Sequence, residues 1–320
     1  MEGISKMSTE TMTLTRTSLN GPTMGSRWTA IFHAADDLDV AAIKVAVAAS
    51  VDRVDRQMST WKPDSDLMRL NKAKADDWVP LPEELMSVLV AALDVGRGSH
   101  GAFDIGVGGL VEAWGFGPAA GRRDPTAIVA LSGRSLATAD LLELDRSAGR
   151  ARKRAPLQLD LSGIAKGFGV DEMARVLDGF GLTSWLVGID GEMRGRGTKP
   201  GGAPWTIALE KPVEERREAM AAIELTERAI ATSGDYRHQV RAGGAVLSHT
   251  MDPRAGGPAR NRLASVSVLA ESCMEADALA TALMVLGEEA GPEFARQRRI
   301  DAVFVVRDGA GFRELVVGGG

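Results

Sequence analysis

Cysteine, tyrosine and histidine are scarce in this chain of 320 residues, which contains one Cys, one Tyr and four His. A single cysteine cannot form a disulfide within the chain, and so few Cys and His residues offer no cluster of zinc ligands. No long block of like charge occurs, and the net charge is −5. A nucleic-acid partner is therefore not expected, because phosphate binding requires a basic stripe.

Long apolar runs are also missing. No stretch is long enough to cross a bilayer, and residues 1–20 are polar, rich in Ser and Thr, and lack the apolar core of a signal peptide. We therefore expect a disordered segment at 1–20. The length of the chain allows one large domain or two smaller ones. The expected location of the chain as given is cytoplasmic, or periplasmic if a leader was removed.

The pattern of elements favours an α+β fold, because the predicted strands bunch together instead of alternating with helices. Apolar periodicity predicts helices at 37–57, 82–97 and 164–178, and a further helix from 275 onward. Strands are predicted at 27–33, 141–145, 150–154, 157–161, 263–270, 301–306 and 312–317.

The helix from residue 275 is apolar nearly all round, which is typical of a buried helix. It carries one carboxylate, Asp277, and four residues later one hydroxyl, Thr281, on the same face. A buried carboxylate requires a cationic neighbour, and a hard metal ion with oxygen ligands would fit. Ser272 and Glu275 form a plausible capping box, which leaves Asp277 unexplained. From these residues alone, a metal site and structural hydrogen bonding remain open.

A second segment, residues 159–170, predicts a strand that ends at Asp160 and a helix that begins after Ser162. The helix start and the ammonium group of Lys166 favour an anion, and three glycines would allow a close approach to the backbone: Gly163, Gly167 and Gly169. A tight turn with a surface lysine is the alternative. The segment lacks the spacing of a Walker loop, and no GxGxxG follows a strand, so a nucleotide-binding oxidoreductase is disfavoured.

Two loops add candidate residues. Glycines surround Phe103 and Asp104, which suggests a loop shaped around a planar ligand, with a flexible turn and one buried Phe as the alternative. His249 precedes the turn formed by Asp252 and Pro253 and is a candidate general base near neutral pH. A packed or exposed histidine without catalytic role is the alternative.

Seven short motifs occur in a characteristic order along the chain. They are Thr23-Met24-Gly25; Thr60-Trp61 with Asp64-Ser65-Asp66-Leu67; Gly101-Ala102-Phe103-Asp104 with Trp114-Gly115-Phe116-Gly117; residues 160–167; Thr232-Ser233-Gly234-Asp235-Tyr236; His249 with Asp252-Pro253-Arg254; and Asp277-Ala278-Leu279-Ala280-Thr281. Together, from about residue 20 to about residue 290, they resemble the ApbE family of FAD:protein FMN transferases.

The resemblance implies a single domain at 21–320 with an α+β fold of the T-fold kind. It has mostly antiparallel sheets with packed helices, in two intimately associated subdomains with FAD bound between them. The implied reaction moves FMN from FAD to a Ser or Thr hydroxyl of a target flavoprotein and releases AMP. Mg²⁺ is the implied metal, and FAD and the target flavoprotein are the implied partners of a monomer or homodimer.

The resemblance also assigns roles to individual residues. Asp277 and Thr281 would bind Mg²⁺ through side chains and Gly163 through its carbonyl oxygen, while His249 would be the base for the target hydroxyl. With Asp277 and His249, Lys166 completes the catalytic set. The residues implied to line the FAD site are Met24, Trp61, Ala102, Phe103, Asp104, Asp160, Lys166, Ser233 and Met251.

Two positions depart from the family pattern. Ile189-Asp190-Gly191 stands where the family usually has a Gly-Gly pair, and Ala255 stands where it usually has Thr. Asp190 adds negative charge near the ligand, and Ala255 removes a hydroxyl group. Two alternative functions therefore stay in view: an FAD pyrophosphatase that yields FMN and AMP, and a non-catalytic FAD-binding protein.

Overall fold

A computed structural model of the chain describes residues 14–119, 121–132, 137–213, 218–235, 239–242, 245–309 and 311–318. The strands are β1 (Thr15–Thr23), β2 (Ser26–Ala34), β3 (Val79–Pro80), β4 (Leu142–Asp145), β5 (Arg150–Lys153), β6 (Trp185–Ile189), β7 (Glu192–Arg196), β8 (Trp205–Glu210), β9 (Ala219–Leu225), β10 (Arg228–Gly234), β11 (Gln239–Ala242), β12 (Ala245–Ser248), β13 (Met251–Asp252), β14 (Gly257–Pro258), β15 (Leu263–Ala270), β16 (Asp301–Asp308) and β17 (Gly311–Val317). The helices are α1 (Val40–Met58), α2 (Asp66–Lys72), α3 (Glu83–Gly98), α4 (Gly108–Ala113), α5 (Pro125–Leu131), α6 (Thr138–Leu141), α7 (Ala165–Gly179) and α8 (Cys273–Arg298).

One eight-stranded sheet organises these elements, in the order β1-β2-β6-β7-β10-β15-β16-β17. Every pairing in it is antiparallel. Smaller sheets are formed by β3-β5-β4, β8-β9, β11-β12 and β13-β14. The architecture agrees with the predicted α+β class of mostly antiparallel sheets.

The core lies between this sheet and the helices. In β2, alternate residues are buried (Trp28, Ala30, Phe32 and Ala34), as expected for a strand with one face inward. They pack with apolar side chains of α1 and α7 in one cluster, and α8 packs with β15 and β16 in another. The helices α7 and α8 are thereby held side by side on the sheet.

The predicted helices at 37–57, 82–97 and 164–178 correspond to α1, α3 and α7, within a few residues at each end. The helix predicted from residue 275 is α8, whose residues Ala276–Ala278 are all buried. Its N-cap is Ser272, the oxygen of which accepts a hydrogen bond from the backbone N–H of Glu275 at 3.2 Å. Ser272 is therefore confirmed as the residue that caps α8. Among the described residues, no helix is long and apolar enough to cross a membrane.

The expectation of disorder across residues 1–20 is wrong for Thr15–Asn20, which pair with β2 as part of β1. Residues 1–13 lie outside the described part of the chain. β1 forms one edge of the large sheet, where side chains meet water, and a polar strand suits that position. Its composition therefore resembled that of a disordered segment.

The strand predicted at 157–161 is also not formed, although those at 141–145 and 150–154 are confirmed as β4 and β5. The segment is bonded at isolated points, by the loop at 105–108 and by one side chain. The N–H of Asp160 donates to the carbonyl oxygen of Ile105 at 2.8 Å, and the N–H of Gly108 donates to that of Gln158 at 3.1 Å. The backbone N–H of Leu159 donates to Asn71 Oδ1 at 2.8 Å, and Asn71 Nδ2 donates to the carbonyl oxygen of Leu159 at 2.9 Å. Alternating apolar residues cannot reveal that an amide side chain replaces a neighbouring strand.

Replacing Asn71 with alanine is expected to lower the free energy of unfolding by about 3 kcal/mol, because two buried backbone groups of Leu159 lose their partners. Urea denaturation measures this change. Asn20 is exposed on β1, so Asn20→Ala serves as a control and should change the unfolding free energy by less than about 0.5 kcal/mol. Equal effects of the two substitutions would contradict the bridging role of Asn71.

Candidate active site

The site is built where α7 and α8 cross. The backbone N–H of Gly167, in the first turn of α7, donates to Asp277 Oδ2 at 3.0 Å. A Cβ atom at Gly167 would lie 2.7 Å from the carbonyl carbon of Cys273 and 2.8 Å from Asp277 Cβ. Gly167 therefore allows α7 to approach α8 closely. The sequence suggested instead that it allows a ligand to approach the backbone, and this is wrong for Gly167.

The backbone amides at the start of α7 are largely bound within the protein. The N–H of Ala165 donates to the carbonyl oxygen of Leu161 at 2.8 Å, and that of Gly167 donates to Asp277. The predicted amide cradle for an anion is thus mostly occupied. The ammonium group of Lys166 is the cationic group that this segment presents to the cleft.

The three predicted metal ligands lie together at this crossing. Asp277 is 4% exposed, and Thr281 follows one turn later on the same face of α8. Thr281 Oγ1 lies 3.1 Å from Ser233 Oγ. A Cβ atom on Gly163 would lie 2.9 Å from Thr281 Oγ1, so Gly163 is directly against the hydroxyl group. A carboxylate, a hydroxyl and a nearby backbone carbonyl make an all-oxygen set suited to a hard cation.

The ionisation of Asp277 supports this interpretation of the set. Burial, together with the neighbouring Glu192 carboxylate, raises the pKa of Asp277 to about 7, against the opposing effects of Lys166 and the Gly167 N–H. Such a shift means that the folded protein lacks enough positive charge around this carboxylate. The described residues contain no group of three His, Cys, Asp or Glu side chains arranged for a metal. The proposed set instead combines one carboxylate with uncharged oxygen atoms.

Lys166 has an acidic partner that sequence reasoning missed. Its Nζ atom lies 2.7 Å from Glu192 Oε1 and 4.0 Å from Asp190 Oδ2. Burial alone would lower the pKa of Lys166, but the Glu192 and Asp277 carboxylates raise it above its ordinary value. Burial also raises the pKa of Glu192, although Lys166 opposes that shift. The sequence gives no local signal for this pair, because 26 residues separate its members.

These groups face one cleft of about 820 Å³. The predicted site residues among its lining are Trp61, Ala102, Phe103, Asp104, Asp160, Gly163, Lys166, Ser233, His249, Met251, Asp277 and Thr281. Residues from distant parts of the chain thus meet in one concave site. A larger cavity of about 1160 Å³ shares only Asp104 and Val107 with the cleft and contains none of the predicted metal ligands or Lys166.

Met24 is the predicted FAD-site residue that is not among those lining the cleft. It lies in the left-handed region, with φ of 46°, at the turn between β1 and β2. Its Cε atom would lie 3.4 Å from a Cβ atom on Gly169. Met24 therefore packs beside α7 at the back of the site.

Two predicted acids hold loops in place. Asp104 accepts hydrogen bonds from the N–H groups of Gly106 at 2.7 Å and Thr138 at 2.9 Å, and also from the Thr138 hydroxyl. Asp160 accepts one from the N–H of Ser162 at 2.7 Å. Both carboxylates fix the backbone on which neighbouring cleft residues are carried.

The remaining predicted residues differ in exposure. Trp61 is 66% exposed, whereas Met251 is buried against Leu110 and Phe116. The turn after Met251 is structural as expected, because the Asp252 carboxylate accepts the N–H of Arg254 at 2.9 Å.

Ala255 is exposed and is not among the residues that line the cleft. In the motif at 232–236, Asp235 pairs with Arg307, and Tyr236 lies outside the described residues.

The chain resembles known proteins over most of its length. The family model described as "ApbE family" matches residues 24–304. A protein from Klebsiella pneumoniae named FAD:protein FMN transferase is 35% identical over 308 residues, which is 93% of this chain and 87% of the relative. A protein of the same name from Vibrio cholerae is 38% identical over 299 residues, covering 92% and 89% of the two chains.

Solved structures give the same result. The flavin transferase ApbE from Vibrio cholerae superposes with a TM-score of 0.85 at 35% identity, covering 96% of this chain and 98% of the other. The apo form of the flavinyl transferase ApbE from Pseudomonas stutzeri has a TM-score of 0.85 at 36% identity, covering 96% of both chains. From its sequence and its fold alike, the chain belongs to the ApbE family.

Proposed function

We propose that this protein transfers FMN from FAD to a Ser or Thr hydroxyl of a target flavoprotein and releases AMP in an Mg²⁺-dependent reaction. The observation that carries the proposal is the convergence of Gly163, Asp277 and Thr281 with Lys166 and His249 in one cleft. Its relatives named FAD:protein FMN transferase support the same activity. Splitting a pyrophosphate requires the protein mainly to position groups and to stabilise charge.

The residues present suit a magnesium ion. Asp277 and Thr281 would hold it through side-chain oxygens and Gly163 through its carbonyl oxygen, in a place where a buried carboxylate has a raised pKa. When bound, Mg²⁺ supplies positive charge that stabilises the pyrophosphate and the AMP leaving group.

The chain's own residues supply the remaining functions. Lys166 provides a cation held in place by Glu192, 2.7 Å away, and binds a phosphate oxygen of FAD. His249 accepts the proton of the target hydroxyl as the hydroxyl oxygen bonds to the FMN phosphorus. The bond from that phosphorus to the AMP phosphate oxygen breaks in the same step, and AMP leaves with the electron pair.

The test is mass spectrometry of an acceptor flavoprotein incubated with the purified chain, FAD and Mg²⁺. An adduct of the size of FMN on Ser or Thr, absent with EDTA, is the expected result. Free FMN and AMP formed without acceptor, at a rate that matches transfer, would identify a pyrophosphatase instead. Intact FAD that stays bound through prolonged incubation with Mg²⁺ and acceptor would identify a binding protein.

Replacing His249 with asparagine is expected to lower kcat for transfer by roughly 10²–10⁴-fold, because the general base is lost. KM for FAD should change little, since the base acts on the acceptor hydroxyl and not on the nucleotide. His100→Asn is the matched control, because His100 is exposed and lies outside the cleft. Steady-state kinetics at several pH values measure both variants, and an unchanged kcat in His249→Asn would exclude the proposed base.

Replacing Asp190 with asparagine is expected to lower KM for FAD by about fivefold. The reason is that a partly exposed ion pair contributes ~1 kcal/mol, which FAD no longer has to overcome when it binds Lys166. The Asp190 carboxylate lies 4.0 Å from Lys166 Nζ and competes with a phosphate for that cation. Asparagine tolerates the left-handed backbone at this position, where φ is 53°. The difference between variant and wild type should shrink as salt is added. A salt-independent effect would point to altered loop geometry instead.

A further inference from the structure

Asp171 on α7 makes an unusual connection to α8. It is 3% exposed, and its carboxylate accepts hydrogen bonds from the backbone N–H groups of Cys273 at 3.0 Å and Met274 at 2.9 Å. It also accepts one from Arg194 Nη1 on β7, at 2.7 Å. One helix thus supplies a carboxylate that binds the N-terminus of another helix, where a negative charge is most favourable.

This connection goes beyond what capping of α8 requires. Ser272 already caps the helix by accepting the N–H of Glu275 at 3.2 Å. Asp171 takes the two N–H groups before it, which would otherwise need water or another partner. Because Asp171 belongs to α7, its bonds fix where α8 begins relative to α7.

The contacts between the two segments form a regular ladder. Asp171 meets the first residue of α8, Cys273; four residues earlier, Gly167 meets Asp277; and four residues before that, Gly163 meets Thr281. Each step of four residues toward the N-terminus from Asp171 matches a step of four residues toward the C-terminus from Cys273. Gly167 and Asp171 are four residues apart on α7 and share a face of that helix, while Gly163 continues the series in the turn before α7. The two segments therefore run antiparallel in a fixed register.

We propose that Asp171 is a positioning residue that sets this register and so fixes Asp277 and Thr281 against Gly163. It is not among the residues that line the cleft, and it acts on the reaction only through α8. Arg194 anchors the Asp171 carboxylate to the sheet, beside the two N–H donors. The inference rests on the magnesium site of the proposed function.

Asp178 provides a matched control on the same helix. Its Oδ1 atom accepts a hydrogen bond from Trp185 Nε1 at 2.9 Å and lies 2.8 Å from Arg196 Nη1. Both acids therefore join α7 to an arginine of β7, but Asp178 is bound to sheet residues and not to the start of α8. Its side chain is also more exposed, at 39% compared with 4% for Asp171.

The experiment compares Asp171→Asn with Asp178→Asn in the full chain. Asparagine keeps the size of the side chain but offers one acceptor oxygen in place of two, and its NH₂ group would face an N–H donor. The melting temperature is measured once in EDTA and, in separate samples without EDTA or FAD, at increasing concentrations of MgCl₂. The dependence on MgCl₂ yields an apparent Mg²⁺ dissociation constant. Transfer kinetics at several Mg²⁺ concentrations provide a second measurement.

We expect Asp171→Asn to weaken Mg²⁺ binding by roughly 10–100-fold, as is typical when a group that orients a metal ligand is lost. Part of its kcat should return at high Mg²⁺. Asp178→Asn should lower the melting temperature and leave the Mg²⁺ constant within about twofold of the wild-type value, since it lies off the ladder. Equal Mg²⁺ constants in the two variants would overturn the positioning role and leave the proposed function intact.

Two other outcomes are decisive as well. A wild-type chain that neither binds Mg²⁺ nor needs it for transfer would remove the metal site, and with it this proposal. If Asp171→Asn does not fold, Arg194→Gln serves in its place, because it removes the ion pair that holds the Asp171 carboxylate against the start of α8. A weaker Mg²⁺ constant in Arg194→Gln is then expected, and an unchanged one would overturn the proposal.

Discussion

Replacing Asp277 with asparagine is expected to reduce FMN transfer by roughly 10²–10³-fold and to leave the fold at least as stable as the wild type in the absence of metal. The loss of transfer follows because the proposed magnesium site loses its charged ligand. The retained stability follows because Asp277 is 4% exposed and burial raises its pKa to about 7. An ionised carboxylate in that position destabilises the folded protein.

The stability difference between the wild type and Asp277→Asn should depend on pH in one direction. Between the ordinary pKa of an aspartate, 3.8, and about 7, the folded wild type binds more protons at Asp277 than the unfolded chain does. Its stability in EDTA should therefore fall, relative to Asp277→Asn, as pH rises through this interval, and the difference should level off above it. Chemical denaturation at a series of pH values measures this effect without any metal.

Ser272→Ala is the control for Asp277→Asn, because Ser272 caps the same helix outside the cleft. It should cost about 1 kcal/mol of stability and retain transfer. Asp277→Asn is thus expected to lose transfer and keep its stability, whereas Ser272→Ala is expected to lose stability and keep transfer. Transfer at the wild-type rate by Asp277→Asn would exclude Asp277 as a metal ligand.

Lys166→Met is expected to lower transfer by roughly 100-fold, through loss of a preorganised cation. It is also expected to lower the free energy of unfolding by about 3 kcal/mol near pH 8, because Glu192 is left buried without its partner. Glu192 is 2% exposed, and burial already raises its pKa. Without Lys166 the carboxyl group takes up a proton more readily, so the loss of stability should be smaller at lower pH.

The double variant Lys166→Met/Glu192→Gln separates the two effects. Removing both charges should restore the unfolding free energy to within about 1 kcal/mol of the wild type, since residue 192 no longer carries a buried charge and Asp277 keeps the Gly167 N–H as its hydrogen-bond donor. Transfer should stay low. Lys44→Met on the exposed face of α1 is the control and should change neither quantity appreciably. Recovery of transfer in the double variant would contradict a direct role of Lys166 at the phosphates.

The elements that the sequence predicted well are those with a strong apolar pattern. The helices α1, α3 and α7 and the strand β2 carry a repeating apolar pattern, and the strands β15 and β16 are apolar-rich runs buried on both faces. The two errors concern segments where a partner outside the pattern decides the structure. The side chain of Asn71 bonds the segment at 157–161, and the polar strand β1 pairs with β2 at the edge of the sheet.

The site was predictable in its parts and less so in its interactions. The spacing of Asp277 and Thr281 placed two candidate oxygen ligands on one face of a buried helix, the helix start after Ser162 pointed to Lys166, and the resemblance supplied the proposed ligand role of Gly163. The interaction of Lys166 with Glu192 and the attachment of Asp171 to α8 were not predicted. They join residues 26 and 102 positions apart, and nothing in the local pattern marks either end.

The ladder between α7 and α8 also limits how the gene can change in length. Each residue of an α-helix turns the chain by about 100°, because 3.6 residues complete one turn. A single codon inserted or deleted between positions 167 and 171, within α7, would point Gly167 and Asp171 in incompatible directions, so at most one of them would still meet its counterpart on α8. We therefore expect length variation among descendants of this gene to avoid this interval, even where substitutions are accepted.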